Sequence, residues 1–367
     1  MKGGRIRRPS LRGATKRGPQ MARRLAFWTA VAMGLVLAAG VLVTKTESGR
    51  GCGDDFPLCR GGLLPEPTVE SWIEYSHRAV SGIAFVLVAA TVLAVRRAFA
   101  GRRTVVAYAW TAFGFTLLQA VLGALAVVRP QSDAVMALHF GFSLIAFAAA
   151  ALLALETRRF GPSAGGKFPA QPADAVTAGG TDAAAIDATG AAASGMSRRF
   201  ARLVLSATAY AYAAVYLGAY VRHTDSQGGC TGWPLCNGKW IPELSGATGI
   251  AFAHRLAALG MLALALALAA AGHREKNARI RLASRAVPVW TLAQVASGGV
   301  VSVLLGREVS YLAASVVHTL LIGGLFTTLA YLSVAAVAAL GRGYGGRRRL
   351  REGGKTVPDP AGPTVVE

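Results

Sequence analysis

Eight apolar stretches, near residues 25–43, 76–95, 104–128, 134–155, 201–220, 249–271, 286–305 and 312–337, constrain this chain more than any other feature. A helix needs about 20 such residues to cross the hydrocarbon core of a bilayer, where every backbone polar group must be satisfied within the segment. Only 16% of the residues are charged, against about a quarter in a typical soluble domain. The chain therefore reads as an all-α polytopic membrane protein with eight transmembrane helices, which excludes a soluble domain and a β-barrel. The first stretch competes with a signal peptide, but its apolar run of about 19 residues is too long for a signal core and no Ala-x-Ala site follows. It is expected to be retained.

The net charge of +21 is explained by topology. Of 39 Lys and Arg residues, 30 fall in the tail to Arg24, the 96–103 loop, the 156–202 connection, the 272–285 loop and the tail from Arg342. The alternate connections hold seven, namely Lys45, Arg50, Arg60, Arg129, Arg222, Lys239 and Arg307, while Arg78 and Arg255 fall within spans. This positive-inside split predicts a multi-pass protein of the cell membrane with both termini cytoplasmic. The basic surfaces face anionic lipid, and nucleic acid is not needed to account for them. The expected organisation is a basic tail over 1–24, a four-helix bundle over 25–155, a disordered cytoplasmic linker over 156–200, a second bundle over 201–338 and a basic tail over 339–367. The linker assignment rests on the Ala-, Gly-, Pro- and Asp-rich run Pro162–Ser197, which has no amphipathic period.

The two halves repeat each other. Pro57-Leu58-Cys59 and His77-Arg78 recur 177 residues later as Pro234-Leu235-Cys236 and His254-Arg255. Gln119 with Gly123 recurs as Gln294 with Gly298 at an offset of 175, and His139 recurs as His318 at 179. Because each half has an even number of spans, both have one orientation, and a pseudo-twofold axis along the membrane normal is expected.

Cys52 pairs naturally with Cys59 and Cys230 with Cys236, each pair in one outward loop. Six and five residues separate them, more than the two to four usual at zinc sites. Disulfides are the leading reading outside the cytoplasm, with redox-active thiols the alternative; the bonds serve either as loop staples or as electron carriers. His77, His139, His254 and His318 all fall in the outer part of even-numbered spans. One intramembrane histidine is readily a packing residue, but four at repeat positions, two per bundle, point to two bis-histidine haem-iron sites. His223 and His273 have no histidine at the matching position and read as solvated or interfacial.

The halves differ where Glu74, one helical turn before His77, is matched by Ala251. The carboxylate is either a general acid or base, or a cation stabiliser, beside a reacting ligand, or an interfacial group pairing with Arg78. Arg78, Arg129, Arg255 and Arg307 are candidate contacts for haem propionates, or ordinary interfacial arginines. Gln119 and Gln294 mark close helix packing or a ligand contact.

Thr44-Lys45-Thr46-Glu47-Ser48-Gly49-Arg50-Gly51-Cys52, continuing through Pro57-Leu58-Cys59 to Glu74-Tyr75-Ser76-His77-Arg78, resembles the first outer loop and second helix of haem A synthases. Gly228-Gly229-Cys230-Thr231-Gly232-Trp233-Pro234-Leu235-Cys236-Asn237-Gly238, followed by His254-Arg255, is similar to the matching second-half motif. The likeness spans roughly residues 25–338 and includes the cysteine pair in each half of the Gram-positive form. Phe56 replaces a frequent Trp, and the long linker is a further departure.

The resemblance implies oxidation of the C8 methyl of haem O to the formyl of haem A, used by terminal cytochrome oxidase. It also implies that His77 and His139 hold the substrate haem, that Glu74 assists the chemistry, and that His254 and His318 ligate a haem b cofactor. A haem O synthase and an electron-transfer protein are the implied partners. The rival readings are a b-type electron-transfer subunit, which would have symmetric sites, and a haem transporter on a parallel repeat. For the charge pattern, a green fluorescent protein fused after Glu367 is expected to fluoresce and alkaline phosphatase fused there to be inactive; the opposite pattern would overturn the predicted orientation.

Overall fold

The computed structural model describes residues 14–129, 131–159 and 196–352, and is helical throughout its long elements. We label the helices α1 (Ala14–Lys45), α2 (Val69–Ala98), α3 (Arg103–Val128), α4 (Asp133–Arg159), α5 (Arg198–His223), α6 (Gly246–Gly272), α7 (Ala278–Val303) and α8 (Glu308–Glu352). All eight are long and apolar enough to cross a membrane. Many large apolar side chains point outward, among them Leu35, Ile83, Val86, Leu117, Val289 and Leu292. In water such a surface would drive association, but against lipid it is the expected outer face.

The helices exceed the apolar runs that predicted them. α1 begins at Ala14, inside the segment read as a basic tail, and α8 runs 45 residues to Glu352. At 1.5 Å per residue α8 is about 68 Å long, more than twice the hydrocarbon thickness. Hydropathy registers only the part of a helix inside the bilayer, whereas backbone hydrogen bonding continues into the flanking basic residues. The linker boundary moves for a similar reason. Residues 156–159 complete α4, where Glu156 and Thr157 are buried and the carbonyl of Thr157 accepts from Arg23 Nε at 2.9 Å. The low-complexity centre of the linker lies outside the described residues.

Local chemistry starts the helices at defined points. Thr68 caps α2 by accepting from Ser71 N, and Asn277 caps α7 by accepting from Arg279 N at 2.9 Å. Ser197 caps α5 and donates to Glu275 at 2.7 Å, fastening the start of α5 to the α6–α7 connection.

In the first half α1 packs on α2 and α4, and α3 packs on the same two helices. In the second half α5 and α7 each pack on α6 and α8. The halves meet where α4 packs on α5 and α8, and where α1 packs on α8. One buried cluster crosses this boundary, joining Leu144 and Leu153 of α4 to Val204 of α5 and to Leu325, Leu329 and Leu332 of α8. Each half also has a hydroxyl pair between helices, though at different places in the repeat: Thr29 bonds Thr91 at 2.7 Å between α1 and α2, and Thr208 bonds Ser333 at 2.8 Å between α5 and α8.

The cysteine loops are built alike. Each opens on a left-handed residue, Glu47 or Asp225, followed by a single 3-10 turn. A Cβ at Gly51 would fall 2.4 Å from the Glu70 backbone, and one at Gly229 the same distance from that of Ala247. Only glycine lets each loop lie this close to the start of the following helix. Disulfides join Cys52 to Cys59 and Cys230 to Cys236, so the predicted pairing is present, and all four half-cystines are buried. Unfolded but unreduced protein is accordingly expected to take up no maleimide, and reduced protein to take up label at all 4 cysteines. Mass spectrometry of the intact chain checks this, and labelling before reduction would contradict it.

Candidate functional site

A cavity of about 1420 Å³ opens between the helices and is lined by His77, His139, His254 and His318 together. Small-molecule pockets usually measure roughly 300–1,000 Å³, so this space accommodates more than one ordinary ligand. His77 and His254 each stand eight residues into their helices, counted from Val69 and Gly246. His139 and His318 enter the same space from α4 and α8. His139 lies within electrostatic reach of His77, and His318 within reach of His254.

Each imidazole faces a glycine on a neighbouring helix. A Cβ at Gly40 of α1 would lie 3.5 Å from His77 Nε2, and one at Gly123 of α3 would lie 3.8 Å from His139 Cε1. In the second half, a Cβ at Gly218 of α5 would lie 2.6 Å from His254 Cε1, and one at Gly298 of α7 would lie 3.2 Å from His318 Cε1. The second-half rings are the more tightly enclosed. Gly123 and Gly298 were visible in the repeat, but Gly40 and Gly218 were missed. Their offset of 178 lies within the repeat's own range and was the signal available.

Hydrogen bonds orient some of the rings. Ser81 Oγ lies 3.2 Å from His77 Nδ1, and Ser297 Oγ lies 2.8 Å from His318 Nδ1. Gln294 Nε2 meets His318 Nε2 at 2.9 Å, so both ring nitrogens of His318 have partners within the protein, whereas Gln119 accepts from Ser143 and supports helix packing. The Nδ1 atoms of His139 and His254 are buried without a hydrogen-bond partner. Among the described residues no three His, Cys, Asp or Glu side chains converge as a metal site. Pairs of imidazoles beside glycine gaps fit haem iron, which takes four ligands from its porphyrin and needs only two from the protein.

Glu74 lines the cavity and is 4% exposed. Its Oε2 accepts from Cys52 N at 2.8 Å, and its Oε1 accepts from Arg78 Nε at 3.1 Å and pairs with Arg78 Nη2 at 2.5 Å. The ion pair raised as the bland alternative is therefore present, but buried at the cavity wall rather than interfacial. Arg78 also donates from Nη1 to the carbonyls of Asp55 and Leu58, each at 2.7 Å. In the second half Arg255 clamps its loop through the carbonyls of Leu235, Cys230 and Gly232. There Ala251 packs against the Cys230–Cys236 bond in place of the carboxylate.

Both of these candidate propionate arginines are thus engaged by loop carbonyls. Arg129 and Arg307 are exposed and do not line the cavity. His223 ends α5, is half-buried and lines the cavity, which corrects its reading as a solvated or interfacial residue, while His273 lies at the far end near Arg285. A second asymmetry was also missed. Trp233 seats against α7, where a Cβ at Gly299 would lie 2.9 Å from its indole. In the first half the corresponding residues are Phe56, which lies over Arg78, and Ala124.

Eight apolar spanning helices around a cavity with two histidine pairs define a multi-pass membrane protein suited to haem. The sequence profile of the cytochrome oxidase assembly protein family COX15-CtaA matches residues 64–330. The protein named heme A synthase from Halalkalibacterium halodurans is 38% identical over 313 residues, covering 83% of this chain and 93% of that protein. Its namesake from Symbiobacterium thermophilum is 36% identical over 312 residues, covering 84% and 94%. That of an Exiguobacterium species is 34% identical over 338 residues, covering 91% and 100%. The chain belongs to the COX15-CtaA family.

The glycine gaps give a contrasting pair of substitutions. Gly218→Ala places a methyl inside contact distance of His254 and is expected to lower the haem content of the purified protein by about half or more. Gly40→Ala makes only an ordinary contact with His77 and should leave it unchanged. Pyridine haemochrome assay reads both, and equal haem contents would refute the assigned role of the gap.

Proposed function

We propose that this chain is a haem A synthase that oxidises the C8 methyl of haem O to a formyl group. The observation that carries the reading is two histidine pairs facing one cavity, with a buried carboxylate in only one half, in a chain of the COX15-CtaA family. In this reading His77 and His139 hold haem O, and His254 and His318 hold haem b. The glycine gaps and the orphaned Nδ1 atoms support that assignment. A haem b bound there supplies one-electron transfer. The tighter enclosure of His254 and the Trp233–Gly299 contact suit a resident group, whereas the looser first half suits a substrate that enters and leaves. A b-type electron-transfer subunit would have no use for this asymmetry.

Taking a methyl to an aldehyde removes four electrons in two two-electron steps, through a hydroxymethyl and a hydrated aldehyde that loses water. Glu74 is held in place by three hydrogen bonds, so its charge needs no reorganisation as positive character develops at the reacting carbon. This favours electrostatic stabilisation over activation of water. Arg78 positions Glu74 and ties it to the disulfide loop. The charge distribution supports cytoplasmic termini and outward cysteine loops, with haem O delivered from a haem O synthase and electrons passed to a separate protein.

Co-expression with a haem O-producing enzyme, followed by mass identification of the extracted haems, tests the reading. Glu74→Gln keeps an acceptor for Cys52 N, so the disulfides and the second-half haem should persist. Conversion should fall about 100- to 10,000-fold, with haem O or its hydroxymethyl form accumulating. Replacing His254 or His318 should instead remove most haem b. Normal haem A from Glu74→Gln would withdraw the catalytic assignment.

A further inference from the structure

The cysteine-loop end of the cavity holds two cationic side chains that neither the histidine pairs nor the disulfide loops explain. Lys45, the last residue of α1, and Arg222, next to last in α5, both line the cavity. Lys45 crosses to the second half, where its Nζ lies 2.5 Å from the Tyr311 hydroxyl on α8. Arg222 crosses the other way and donates from Nη2 to the carbonyl of Thr44 on α1. Its Nη1 pairs with Asp225 at 2.7 Å, whose carboxylate side is 72% exposed, while its Nε is buried without a partner.

The placement follows the repeat. Thr44-Lys45-Thr46-Glu47-Ser48 aligns with Arg222-His223-Thr224-Asp225-Ser226 at an offset of 178, which matches Lys45 with His223 and Arg222 with Thr44, so the two cations stand one residue apart in the repeat. Lys45 stands five residues beyond Gly40, which faces His77, and Arg222 four beyond Gly218, which faces His254. At 1.5 Å per residue these separations are about 7.5 and 6 Å along the helices. Haem carries its two carboxylates on one edge, and a porphyrin held by the imidazoles with that edge toward the cysteine loops would bring them within reach of these cations. Cations facing a largely apolar space are costly unless an anion compensates them; Asp225 does so for Arg222 only from the exposed side, and among the described residues no carboxylate forms an ion pair with Lys45. Arg78 and Arg255 also line the cavity, but they hold two and three loop carbonyls and Arg78 carries Glu74 as well, whereas Arg222 keeps a buried Nε without a partner; Arg129 and Arg307 do not line the cavity.

We propose that Lys45 and Arg222 are the carboxylate-binding groups for the haem propionates, forming one cationic locus shared by both halves. The proposal rests on the haem-binding reading above and adds residues to it. Because each cation is anchored to the opposite half, a propionate bound there also bridges the halves.

The test titrates the full chain, purified from haem-deficient cells, with haemin and separately with haemin dimethyl ester, following the Soret band. Wild type should bind haemin more tightly than the ester. Lys45→Met and Arg222→Gln should each weaken haemin binding about tenfold or more, which is 1.4 kcal/mol, and leave ester binding within about twofold. Variants that keep the wild-type preference for haemin, or that lose both ligands equally, would overturn the assignment, the latter by revealing a packing role. A wild type that binds neither ligand would instead refute the haem reading itself.

Discussion

An imidazole can be buried between helices only if the neighbouring helix leaves room for its ring, and this requirement organises the molecule. Glycines at 40, 123, 218 and 298 provide that space, one opposite each of the four paired histidines. The histidines in turn require helices on which they stand at matched depth. α2 and α6 achieve this by starting eight residues before His77 and His254, each fixed by a loop that only glycine allows to approach. The disulfide loops, the loop arginines and the helix starts thus form one mechanical unit that sets where the ring nitrogens lie.

The two units are alike in construction and unlike in chemistry. Arg78 and Arg255 perform the same clamping, yet Arg78 also carries Glu74, whereas the position four residues before Arg255 is occupied by Ala251 against a disulfide. A buried carboxylate needs donors, and Cys52 N and Arg78 provide them. With Ala251 no such demand exists, and the second loop is instead seated by Trp233 in the notch at Gly299. In the reading proposed here, one half holds a charge where a substrate reacts and the other holds an aromatic plug where a cofactor stays.

The boundary between the halves carries both apolar and polar connections. Leu144, Leu325, Leu329 and Leu332 pack across it, and at the cysteine-loop end Lys45 and Arg222 cross it in opposite directions. An arrangement of this kind lets each half be a separate helical unit while the space between them remains continuous, so that groups bound to the two halves share one wall.

The amino-acid sequence by itself determined the eight spans, the repeat, the cysteine pairing and the four histidines, because hydropathy, residue spacing and residue chemistry are local or periodic quantities. It also singled out Glu74 by its absence from the second half. It did not show that Glu74 is fully engaged by Arg78 and Cys52, nor that Arg78 and Arg255 hold their loops. Nor did it show that Gly40 and Gly218 face the ring nitrogens, or that Lys45 and Arg222 reach the same cavity. Each of these depends on which helix lies beside which, and contacts such as α1 with α8 and α4 with α5 join residues far apart along the chain. Spacing along one helix fixes a side chain's direction relative to its neighbours in sequence, and only the packing of the other helices decides what it meets there.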